Sequence, residues 1–152
     1  MYTTLLVLHS WLRWAALITG IGATIMAMRD SSGPSGSSRL DRWGMGLVTL
    51  LDIQLLLGLL MYLVFSPTME AIRANFGGAM KDPVARFWAV EHISGMLVAV
   101  ILVHVGRVLG RKATSPDSTR MKLFVCFGIA TVLMLLSIPW PGLRAGRPLF
   151  RF

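Results

Sequence analysis

The sequence predicts an all-α fold: an integral membrane four-helix up-and-down bundle, one domain across residues 1–152. Three observations predict it. Hydrophobic residues make up 55% of the chain and charged residues only 14%, where a soluble domain carries about 25% charged residues. The mean hydropathy is +0.66. The apolar residues also fall in four runs, about 4–28, 43–65, 84–109 and 121–140. Each approaches the roughly 20 residues a helix needs to cross the hydrocarbon core, and all are too long and continuous for barrel strands.

The first run, from Thr4 to Met28, is too long for a signal-peptide core and lacks a basic leader, so it reads as a retained helix. The polar Gly/Ser/Pro linker 30–38 suggests neither structure nor chemistry. Trp43 to Phe65 forms the second run. In the following segment, 66–83, Met69, Ile72, Phe76 and Met80 recur at helical spacing around Gly77-Gly78. That segment is either a short amphipathic helix lying on the bundle mouth or an irregular loop. The third run covers Val84 to Leu109, and a short basic loop, 110–120, leads to the fourth, Met121 to Trp140. Pro139-Trp-Pro-Gly142 ends that helix sharply, because proline cannot continue it. Arg144, Arg147 and Arg151 follow.

Fifteen Lys+Arg stand against seven Asp+Glu, a net charge of +8. The positive residues cluster at segment ends, where they set topology and meet anionic lipid, so no nucleic-acid partner is expected. Arg29, Arg39, Arg42, Arg107, Arg111, Lys112, Arg120 and Lys122 fall on one side of the bundle. Arg73, Lys81, Arg86 and the three tail arginines fall on the other, with both termini. This modest bias places the termini outside, in the periplasm if the membrane is a bacterial inner membrane. Tyr2, Trp11, Trp14, Tyr62, Trp88 and Trp140 suit an interfacial belt on the termini side. The single cysteine, Cys126, lies within an apolar run and suits packing, and no cysteine spacing for metal ligation exists.

Three histidines carry the functional expectation. A histidine in a transmembrane helix is costly without a partner, so it marks a functional site by default. His9 lies about 8 Å and His92 about 12 Å from the termini side, counting 1.5 Å per residue. In an up-down bundle the first and third helices run parallel and sit diagonally, so the two imidazoles can face one another at matching depth. A metal in a flat macrocycle fits between such a pair, and a single bis-histidine haem b is the natural candidate. Gly95, Gly20 and Gly22 offer room for a wide cofactor or for close helix packing. Histidines satisfied by ordinary packing are the alternative.

Arg13 is one turn beyond His9, and Glu91 adjoins His92. A deep arginine needs a counter-charge, either Glu91 or a haem propionate. Arg13 and Arg86 are the cations expected near propionates, because guanidinium binds carboxylate in a fork. His104 lies on another face, nearer the opposite side, and Asp52 of the second helix can reach it. The pair suits a structural contact, a proton relay or a quinone contact. No serine, cysteine or carboxylate constellation suggests a hydrolase, and no glycine-rich phosphate loop is present.

The runs Leu8-His-Ser-Trp-Leu-Arg-Trp14, Met80-Lys-Asp-Pro83, Arg86-Phe-Trp-Ala-Val-Glu-His92, His104-Val-Gly-Arg107 and Ile138-Pro-Trp-Pro141 resemble those of short bacterial four-helix membrane proteins labelled cytochrome b or cytochrome-b-like. The resemblance spans nearly the whole chain. It implies haem b in the membrane, His9 and His92 as axial ligands, and electron exchange with a quinone or partner protein. Diheme b-type cytochromes place two ligands thirteen or fourteen residues apart on one helix, and the His92–His104 interval departs from that. The expected function is therefore electron transfer through one haem, with Glu91, His104 and Asp52 as proton or quinone contacts. The alternative is a haem-free accessory subunit of a larger respiratory or photosynthetic membrane complex. Other membrane subunits or further copies of the chain are the expected protein partners in either case.

Overall fold

A computed structural model describes residues 1–29 and 39–150. The linker 30–38 and Arg151 lie outside the described residues. Helix dominates, and no strand occurs among the described residues. The elements are α1 (Tyr2–Arg29), α2 (Arg39–Leu60), α3 (Pro67–Ala74), α4 (Phe76–Ala79), α5 (Pro83–Arg86), α6 (His92–Arg111) and α7 (Pro116–Ser137). Two π-helical turns, Met61–Phe65 and Phe87–Glu91, extend α2 and join α5 to α6. Among the described residues, four helices are thus long and apolar enough to cross a membrane: Tyr2–Arg29, Arg39–Phe65, Pro83–Arg111 and Pro116–Ser137.

The boundaries differ from the apolar runs where polar chemistry sets a helix end. α7 begins five residues before Met121, because the Ser115 hydroxyl accepts from the Ser118 N–H and Pro116 takes the first helical position. Hydropathy marks the lipid-compatible stretch rather than the hydrogen-bonded one. The segment 66–83 is neither one amphipathic helix nor an irregular loop. Ser66 caps α3, the chain breaks at Asn75, and α4 restarts with the Asn75 side chain accepting from Gly78 N–H. Met69 and Ile72 are buried with Ala79 and Ala89, whereas Phe76 faces outward.

Leu47, Leu51, Val103 and Phe127 are the fully buried large side chains at the centre. α1 packs against α2 and α7, and α6 packs against α7 and α2. α1 and α6 therefore lie across the bundle from each other, and the α2–α6 seam is the least closely packed of the four. The glycines singled out in the sequence serve helix approach. A Cβ on Gly20 would meet Met134 and Thr131 of α7, one on Gly22 would overlap Trp43, and one on Gly95 would overlap Ser137.

Residues 138–150 fold back over the end of the bundle. The Leu149 carbonyl accepts from Arg13 Nη2 at 2.6 Å and Trp14 Nε1 at 3.1 Å, and Phe150 packs between Trp11 and Trp14. Of the residues expected in the interfacial belt, Trp14, Trp88 and Trp140 are part-buried against the tail and the cavity described below, and Trp11 is 45% exposed.

Candidate functional site

His9 sits in the first turns of α1, and His92 opens α6 across the bundle. Their ring centroids are 6.4 Å apart with the planes at 67°. The π-helical turn Phe87–Glu91 positions His92. The His92 N–H reaches back five residues to the Phe87 carbonyl, so the face presented by α6 is offset from that of the preceding turn. His92 Nδ1 lies 2.7 Å from the Ser137 carbonyl. A carbonyl can only accept, so Nδ1 carries the proton and Nε2 keeps its lone pair. Phe87 and Trp88 pack beside the ring, at 5.9 and 5.7 Å between centroids.

His9 rests against Gly58 of α2. A Cβ on Gly58 would lie 3.4 Å from His9 Cε1 and 4.0 Å from Nδ1. His9 Nδ1 is buried without a hydrogen-bond partner among the described residues.

Two cavities adjoin the pair. The larger, about 130 Å³ and partly open, is lined by both histidines with Arg13, Gly58, Tyr62, Trp88 and Arg147. The smaller, about 60 Å³, follows the α2–α6 seam and shares His9, His92, Gly58 and Tyr62, adding Gln54, Met96 and Val100. Both are mostly apolar with a few converging polar groups, the character of a cofactor site, and both are smaller than the roughly 300–1,000 Å³ such sites commonly occupy. Two polar atoms beside these cavities, Trp88 Nε1 and Gln54 Oε1, are buried without partners. Such groups cost free energy unless something satisfies them.

A metal–imidazole bond is about 2 Å long, and a ring nitrogen lies about 1.1 Å from its ring centre. Two axial imidazoles on one metal therefore have centroids about 6.3 Å apart, and the pair here is 6.4 Å apart. No group of three or more His, Cys, Asp or Glu that could hold a bare ion occurs among the described residues. Two imidazoles leave the remaining positions of a metal to other donors, which a macrocycle supplies in haem. The two-imidazole donor set is therefore compatible with a bis-histidine haem.

The remaining expected residues fall into two groups. Arg13 lines the larger cavity and is oriented by the Leu149 carbonyl. Glu91, one of the two counter-charges weighed for Arg13, pairs with Arg86, Nε to Oε1 at 2.8 Å. The Arg86–Glu91 pair is half-exposed and outside the lining of either cavity. Arg147, from the folded-back tail, lines the larger cavity in its place, with its guanidinium 5.3 Å from the Trp88 ring centre. His104 and Asp52 do meet, Nε2 to Oδ1 at 3.5 Å, away from the His9–His92 pair.

Gly58, Gln54, Ser137 and Arg147 are site residues that sequence reasoning missed. Gln54 carried a usable signal, a lone amide within an apolar run. Ser137 acts through its carbonyl and Arg147 through a tail fold, and neither has a sequence signature. The comparisons with known proteins are empty: no family model, curated protein or solved structure matches the chain.

Proposed function

We propose that this chain is a b-type cytochrome of a bacterial inner membrane. It is an up-and-down four-helix bundle with periplasmic termini that holds one haem b between His9 and His92. The observation that carries the reading is the facing pair of imidazoles at metal-bridging separation, one with Nδ1 tied to a carbonyl so that Nε2 is left to ligate. When bound, the haem iron supplies a one-electron couple for exchange with a quinone or a partner protein.

The protein residues set the environment of that couple. Ser137 fixes the tautomer and orientation of His92. Gly58 leaves space for the His9 ring. Leu51, Leu55, Ile93 and Met96 line the smaller cavity and keep water from one edge. Arg13 and Arg147, with the free Trp88 N–H, offer cations and a donor for the propionates at the other edge. Arg147 takes the part that the sequence suggested for Arg86. Glu91, held by Arg86 beside the π-helical turn, is the carboxylate that a quinol docking under residues 66–83 would meet.

Reduced-minus-oxidised spectra of the purified, haem-supplemented protein test the reading. A low-spin b-type Soret and alpha band is expected. A colourless protein that co-purifies with a large membrane complex would replace it with the accessory-subunit reading.

A further inference from the structure

Asp52 is the middle residue of the span Arg39–Phe65, about 20 Å from either end at 1.5 Å per residue. Its side chain is 50% exposed and that of His104 is 48% exposed. Around them the outward residues are Ile53, Leu56, Ile101 and Val105, all exposed and apolar. An ionisable pair therefore sits on a surface otherwise suited to lipid, at the depth where uncovered charge is most costly.

The chemistry of the pair defines what can cover it. His104 Nδ1 lies 3.0 Å from the Val100 carbonyl and Nε2 lies 3.5 Å from Asp52 Oδ1. The patch thus presents an imidazole and a carboxylate side by side, half-exposed among apolar residues.

We infer that a second copy of this chain covers the patch, the two copies meeting through their α2–α6 seams about a two-fold axis. A surface that carries an imidazole at one end and a carboxylate at the other is complementary to itself under two-fold rotation, which sets each His104 against the other copy's Asp52. Polar groups that bond across helices are a recognised driving force for association in lipid. The inference rests on the membrane-spanning part of the proposed function and is independent of haem.

The test uses the full chain in lipid nanodiscs and vesicles. Val105→Cys places a thiol beside His104, and Leu136→Cys on α7, 72% exposed, is the control. Both are made with Cys126→Ala. Cross-linked dimer is expected from the first and not from the second. Asp52→Asn should raise the dimer dissociation constant at least tenfold, and exchange of the pair, Asp52→His with His104→Asp, should restore it. A protein that remains monomeric, a dimer that ignores both Asp52→Asn and His104→Gln, or equal cross-linking at Leu136→Cys would each overturn the inference. Extraction of the protein from vesicles by alkaline carbonate would instead overturn the membrane reading itself.

Discussion

The two histidine pairings of this protein draw on the same residue type for opposite ends. His9 and His92 meet across the bundle, part-buried, with a nitrogen of His92 left free by its carbonyl contact and two cavities beside them. His104 faces a carboxylate, is half-exposed, and has both nitrogens against acceptors. An imidazole with a nitrogen left free of partners can ligate a metal; one with both nitrogens engaged cannot. The partners that each neighbourhood supplies decide what the ring can do, more than its position along the helix.

The sharpest way to break that contrast is to delete each ring. His9→Ala and His92→Ala should each abolish the b-type absorbance, whereas His104→Ala should keep it; loss of the band in His104→Ala would place a ligand where the geometry puts a charge pair. The next largest effect concerns a second ion pair between the same helices. Arg107 and Asp41 are 9% and 21% exposed, and breaking a buried pair from one side costs about 3–5 kcal/mol. Arg107→Leu should therefore lower unfolding stability by about 3 kcal/mol in detergent, while Asp52→Asn should cost under about 1 kcal/mol there, as read from denaturant titration of helical signal.

Gly58→Val tests the seat of His9. A Cβ there already reaches contact distance from Cε1, and the branched methyl groups go further, displacing the ring. We expect haem affinity to fall about tenfold or more, some 1.4 kcal/mol, with dimerisation through His104 unchanged. The smallest effect separates two arginines. Arg147→Gln should speed haem loss a few-fold, in line with an exposed ion contact of roughly 1 kcal/mol. Arg86→Gln should leave it unaltered, because Arg86 is occupied by Glu91 outside the cavity.

Much of the architecture was legible because lipid imposes a simple code. Four apolar runs of spanning length became four long helices, and the first and third stand across the bundle from one another. That His9 could meet His92, and His104 could meet Asp52, was suggested by depth and helix order. What depth could not convey was direction. The π-helical turns Met61–Phe65 and Phe87–Glu91 shift the faces of the helices they join, and no spacing rule reveals them. They also redirect polar groups: the Tyr62 hydroxyl donates to the Ala89 carbonyl, and Arg73 donates to the Tyr62 carbonyl. The exchange of Arg86 for Arg147 escaped for another reason. Arg86 lies five residues before its partner Glu91, a local contact that outcompetes a distant one, while Arg147 depends on the reversal of the tail.

That reversal has a bearing on biogenesis. The roof over the larger cavity comes from residues 139–149, which leave the ribosome after all four long helices. Until then the larger cavity lacks Pro139 and Arg147 from its lining, so the proposed haem would enter more easily before the tail docks through Leu149 onto Arg13 and Trp14.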